Sequence, residues 1–103
     1  MFKLDPSPTF WATVRLTVPG EAEPQAVELQ FGHQSVDTLK AWLEDAKERD
    51  DRSTLATVVK GWRGFDAEFS ADAFQKLLQN YPAAASEIFG QYIRALTESR
   101  AKN

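Results

Sequence analysis

A chain of 103 residues and 11.6 kDa has length for one domain with a thin core, burying roughly 60–65% of its unfolded surface. Its apolar content of 43% and charged content of 26% are those of a globular protein rather than a disordered one. With no cysteine and one histidine, disulfide frameworks, thiol nucleophiles, zinc–thiolate sites and histidine metal clusters are excluded, and no cofactor is expected. The apolar runs are too short to predict a membrane span, and the opening MFKLDPSPTF lacks a signal-peptide pattern, so a reducing cytoplasm is the expected compartment.

Charge is divided unevenly. Residues 1–51 carry a balance of −5 and residues 52–103 a balance of +2, for a net −3. The densest charged run, Glu44 to Arg52, mixes both signs, which predicts a solvated helix end and turn rather than a binding patch. An acidic chain without a basic stripe is a poor nucleic-acid binder, because neutralising phosphates supplies most of such affinity.

In chain order, Phe2 to Pro8 is an apolar lead-in that Pro6 and Pro8 hold extended. Phe10 to Val18 then alternates with period two, placing Phe10, Ala12, Val14, Leu16 and Val18 on one face and Trp11, Thr13, Arg15 and Thr17 on the other. A loop runs from Pro19-Gly20 to Pro24. Val27, Leu29 and Phe31 alternate with Glu28 and Gln30 in a second strand, so the two runs predict an antiparallel hairpin. Such a hairpin is marginal alone and needs a cover.

Helices are expected to supply it. Ser35 is placed to cap a first helix with Leu39, Trp42, Leu43 and Ala46 on one face. Ser53 is placed to cap a second, shorter one carrying Leu55, Val58, Val59 and Trp62, broken by Gly61 and Gly64. Ser70 is placed to cap a third that buries Phe74, Leu77, Leu78 and Tyr81. Pro82 suits the first turn of a fourth, running to about Arg100 with Ala85, Ile88, Phe89, Tyr92, Ile93 and Leu96. No internal repeat or linker interrupts the chain. The expected architecture is α+β: one domain over 1–103, with lead-in and N-terminal antiparallel β-hairpin over 1–34 and a small bundle of about four helices over 35–103.

Chemistry-bearing patterns are sparse. His33 reads as a strand-end residue, and Asp66 and Glu68 as surface carboxylates. The five glycines form neither GxGxxG nor GxxxxGK[ST], so no phosphate cradle is indicated and no enzyme is expected. Aromatic density is the exceptional feature, with seven Phe, three Trp and two Tyr. Trp42, Phe74, Phe89 and Tyr92 fall at core spacing. Trp11 has the wrong strand parity for the core, and Phe65 and Phe69 occupy a glycine-punctuated connection beside Trp62. Two readings stand for that connection: aromatics buried under a loop, or an exposed cluster that binds a partner.

Several stretches resemble one known family. They are Met1 to Trp11, Val58-Val59-Lys60-Gly61-Trp62 followed by Phe69-Ser70, and Leu77-Leu78-Gln79-Asn80-Tyr81-Pro82 followed by Ala84-Ala85 and Ile88 to Tyr92. In this order they resemble the tail assembly chaperones of long non-contractile-tailed phages and prophages. The resemblance implies a non-covalent role in virion morphogenesis in the host cytoplasm. Such a protein coats the tape measure protein, helps tail tube protein polymerise around it, often acts as a homo-oligomer, and is absent from the mature virion. It carries over no catalytic residues, and the charge and apolar-run readings above leave no nucleic-acid or membrane partner expected. The alternative is another structural or connector protein of a phage or prophage particle. On the chaperone reading, the partner surface is expected around Trp62, Phe65 and Phe69, with Trp11 and Tyr92 as further candidates. Many members also exist in a longer form made by a −1 frameshift, and Ala101-Lys102-Asn103 is codable as a slippery heptamer.

Overall fold

The computed structural model describes residues 1–98, so the expected end of the last helix at Arg100 and the Ala101-Lys102-Asn103 tail lie outside the described residues. Strands β1 (Thr9–Leu16) and β2 (Gln25–Gly32) pair antiparallel, with Phe10 opposite Phe31 and Val14 opposite Val27. The loop between them turns at Gly20, whose φ of 89° is accessible to glycine at little cost. Period-two alternation does what the sequence requires of it. Val14, Leu16, Val27, Leu29 and Phe31 are buried on one face, while Trp11, Thr13 and Arg15 look outward.

A third strand lies where the spacing predicts helix. Helix α1 (Val36–Ala46) is capped by Ser35, whose hydroxyl accepts from Thr38 N at 3.2 Å. Helix α2 spans only Asp51–Ala56, and its cap is Asp50, which accepts from Ser53 N at 2.7 Å, rather than Ser53 itself. The chain then enters β3 (Val59–Arg63), antiparallel to β2 on the side away from β1, so the sheet order is β1-β2-β3. Leu29 faces Trp62 and Gln30 faces Gly61, with a register irregularity between Gln30 and Phe31. The sheet therefore has three strands, and the segment from residue 35 onward is not wholly helical. The apolar positions 55, 58, 59 and 62 fit a helix by spacing alone. β-branched Val58-Val59 and the open edge of β2 favour extended backbone instead.

Helix α3 (Ala71–Asn80) begins at Ser70, which accepts from Ala73 N at 3.0 Å. Tyr81 is extended because it precedes Pro82, and the chain turns through Pro82-Ala83 into α4 (Ala84–Thr97). Pro82 thus sits in the turn before the fourth helix rather than inside its first turn. Among the described residues there are three strands and four helices: the fold is α+β, and the hairpin comes first.

The core lies between the sheet and these helices. Tyr92 from α4 packs its ring 4.9 Å from that of Phe31 and 5.3 Å from that of Trp42. Trp42 in turn stacks on Phe89 at 5.2 Å and donates its indole N–H to Thr57 Oγ1 at 2.9 Å, joining α1 to the end of α2. The charged run behaves as a solvated turn, with exposed pairs Lys47–Glu44 at 3.1 Å and Arg49–Asp45 at 2.9 Å.

Candidate partner-binding surface

The connection from β3 to α3 is built around glycine. Gly64 has φ of 90°, which a residue with a Cβ adopts only under strain, and it reverses the chain directly after Arg63. The reversal brings Phe65 back onto Trp62, with ring centroids 3.9 Å apart and planes 15° from parallel. Phe69 meets Trp62 edge-on at 5.3 Å and 87°, and lies 6.2 Å from Phe74 of α3. The indole N–H of Trp62 donates to the Ala67 carbonyl at 2.9 Å, closing the loop. All three rings are half-buried. The loop is stapled by its aromatics, and part of each ring remains accessible to solvent.

Beside the cluster lies a groove of about 540 Å³. Its floor is Leu16 and Val27 at the end of the hairpin with Leu77 of α3, and its walls are Trp62 and Phe65 on one side and Ala73 on the other. Gln25, Asp66, Lys76 and Asn80 ring it with polar groups. An apolar floor inside a polar rim is the build of a surface that takes an amphipathic segment.

The five candidate aromatics do not form one site. Trp62, Phe65 and Phe69 come together. Trp11 is 37% exposed but lies on the opposite face of the sheet, where the Arg63 guanidinium stacks 3.8 Å above its ring. Alternation explains the separation, since Trp62 and Arg63 are adjacent on β3 and point to opposite faces. Tyr92 is fully buried and is a core residue, which removes it from any surface. Its phenol donates to the Gly32 carbonyl, and burial pushes its pKa above the ordinary tyrosine value.

Elsewhere, His33, Asp66 and Glu68 are exposed. Among the described residues no three His, Cys, Asp or Glu side chains gather to hold a metal ion. No helix among them is long and apolar enough to cross a membrane.

The family model described as phage tail assembly chaperone matches residues 1–103, the whole chain. The chain belongs to the phage tail assembly chaperone family. No curated protein and no solved structure matches it. The family is one of assembly proteins and not a known enzyme family.

Sequence reasoning missed half of this surface. Leu16 and Val27 read as ordinary core positions, and Ala73 and Lys76 carry no signal at all. That a strand end and a helix flank meet beside Trp62 depends on β3 pairing with β2. The signal that could have found it is Gly61-Trp62-Arg63-Gly64, where two glycines three residues apart argue against helix and for a short extended run.

Proposed function

We infer that this chaperone binds the tape measure protein non-covalently in the host cytoplasm, keeps it soluble while tail tube protein assembles around it, and leaves before the virion is complete. The apolar face of a tape measure helix is seated in the groove beside Trp62, against Phe65 and the floor of Leu16, Val27 and Leu77, with Phe69 bracing the loop. Family membership over the whole chain supports the class of partner. The observation that carries the choice of surface is the Trp62–Phe65 stack at the groove wall, because large half-buried aromatics beside an apolar floor are the usual anchors of a binding site.

Co-expression with the tape measure protein of the same genome, scored by solubility and co-purification, tests this reading. Wild type is expected to rescue the tape measure protein, and Trp62→Ala and Phe65→Ala to fail while retaining a native circular dichroism spectrum. If wild type neither binds nor solubilises it, and mass spectrometry finds the chain in purified particles, it is a structural or connector component instead.

A further inference from the structure

Among the described residues that line the groove beside Trp62, the charged ones are Asp66 and Lys76, and they stand on opposite walls. Asp66 belongs to the aromatic loop, next to Phe65, and Lys76 to α3, next to Leu77 of the floor. Both are exposed. The ion pairs among the described residues are Lys47–Glu44 and Arg49–Asp45, so Asp66 and Lys76 neutralise neither each other nor another charged group. Gln25 and Asn80 complete the polar rim without charge. The groove is therefore acidic on one side and basic on the other, with an apolar floor between.

The α3 wall fits a second helix laid alongside it. Ala73, Lys76, Leu77 and Asn80 follow at i, i+3, i+4 and i+7, one helix face about two turns or ~10 Å long. An amphipathic helix in this groove sets its apolar stripe on Leu16, Val27 and Leu77, and its two flanks then meet the two walls. Which flank meets which wall depends on the direction of the helix. Turning the helix end for end keeps the stripe on the floor and exchanges the flanks. For a helix with one basic and one acidic flank, one direction makes two attractive contacts and the other makes two repulsive ones.

We propose that Asp66 and Lys76 select the direction of the docked helix. The groove takes an amphipathic helix with oppositely charged flanks, basic toward Asp66 and acidic toward Lys76, and takes it in one polarity. That selection rests on the function proposed above, the seating of a tape measure helix, and names the charge pattern such a helix carries. Exposed rim charges add little to total affinity, so Trp62 and the apolar floor hold the helix while the charges decide between its two directions. Copies bound along one long helix of this pattern all face the same way.

Designed peptides test the rule without the tape measure protein. Each is an amphipathic helix of about 18 residues, long enough to form, with the same leucine stripe and no tryptophan. The flanks are lysine and glutamate, the same two exchanged, lysine on both, or glutamate on both. Binding to the full-length protein is read by its tryptophan fluorescence, with Trp62→Phe as the control that loses the signal. The two mixed-flank peptides are expected to bind wild type about threefold or more tighter than the like-charged ones at low salt, a preference that fades at high salt. Asp66→Lys, with both walls basic, is expected to prefer the all-glutamate peptide, and Lys76→Glu the all-lysine one.

Direction is read by disulfide trapping, since the chain has no cysteine of its own. Asn80→Cys marks one end of the α3 wall. A mixed-flank peptide is expected to be trapped through a cysteine at one terminus, and the exchanged peptide through the other. Equal affinity for all four flank sets, trapping through both termini alike, or no Trp62-dependent binding of any peptide overturns the proposal. Any of these results, with the tape measure protein still co-purifying through Trp62, leaves the proposed function standing. Peptides that obey the rule while the tape measure protein fails to co-purify uphold the selection by Asp66 and Lys76 and sink the function instead.

Discussion

The hydroxyl of Tyr92 donates a hydrogen bond to the Gly32 carbonyl at 2.7 Å, joining the last helix to the end of the second strand across 60 residues of sequence. The ring sits against Phe31 and Trp42 and is fully buried, so the phenol has exchanged water for this one acceptor. Tyr92→Phe keeps the packing and removes the donor. It is expected to lower unfolding stability by about 1–2 kcal/mol in urea titration, because the Gly32 carbonyl loses its partner.

The same phenol predicts an alkaline limit. Burial raises its pKa in the folded protein, an effect the Gln34 side chain partly opposes. In the unfolded chain it ionises near its ordinary value of about 10. Its contribution is fully present below that pH and is lost as pH rises through the folded-state value, because the folded state then holds the proton more tightly. Stability measured against pH is expected to fall above about pH 10, and less steeply in Tyr92→Phe.

Gly64 governs the aromatic loop. Its φ of 90° strains any residue with a Cβ, although the space beside Val27 is ordinary contact distance. Gly64→Ala is expected to cost about 1–2 kcal/mol and to loosen Phe65 from Trp62. Tryptophan fluorescence and thermal unfolding together report it. An unchanged melting temperature would contradict the strain.

Glu87 in the first turn of α4 takes two hydrogen bonds from Thr17, one from its backbone N–H at 3.0 Å and one from its hydroxyl. This clasp holds the loop end of β1, next to Leu16 in the groove floor. Glu87→Ala is expected to cost about 1 kcal/mol, and amide exchange at Thr17 is expected to quicken.

Asp50 accepts from Ser53 N at the start of α2, and that backbone hydrogen bond is the main cause of a carboxyl pKa below the ordinary range. Its stabilising effect is present above the unfolded-state value, near about 4, and is lost as pH falls through the folded-state value. Asp50→Ala is expected to fray α2 and to flatten the acid side of the stability profile. Equal acid sensitivity in both proteins would refute the cap.

Trp11 tests the separation of the two sheet faces. Its contact with Arg63 is an exposed cation–π stack, worth about 0.5–1 kcal/mol. Trp11→Thr is expected to leave tape measure co-purification intact while Trp62→Ala abolishes it. Equal loss in both would place the partner on the outer face.

Much of the fold was legible because local rules sufficed. Period-two alternation set the hairpin faces, and Ser35 and Ser70 capped the helices that follow them. Val58 to Trp62 was misread because four apolar positions at helical spacing carry no information on whether a strand edge waits nearby. The candidate site suffered from the same gap. Trp62, Phe65 and Phe69 stood out by composition, whereas Tyr92 fits both core spacing and a surface role by sequence, and its burial against Phe31 and Trp42 decides for the core.

The amino-acid sequence by itself determined an α+β chain without reactive thiols or a membrane-spanning run, the hairpin and the starts of α1 and α3, the aromatic surplus and the family resemblance. All of these depend on residues near one another or on residue types alone. Only the tertiary structure decided that β3 joins β2, that Trp11 and Trp62 look in opposite directions, and that Leu16, Val27 and Leu77 floor a groove. Those facts rest on contacts between segments tens of residues apart, where hydrogen-bond pairing and shared burial override local spacing.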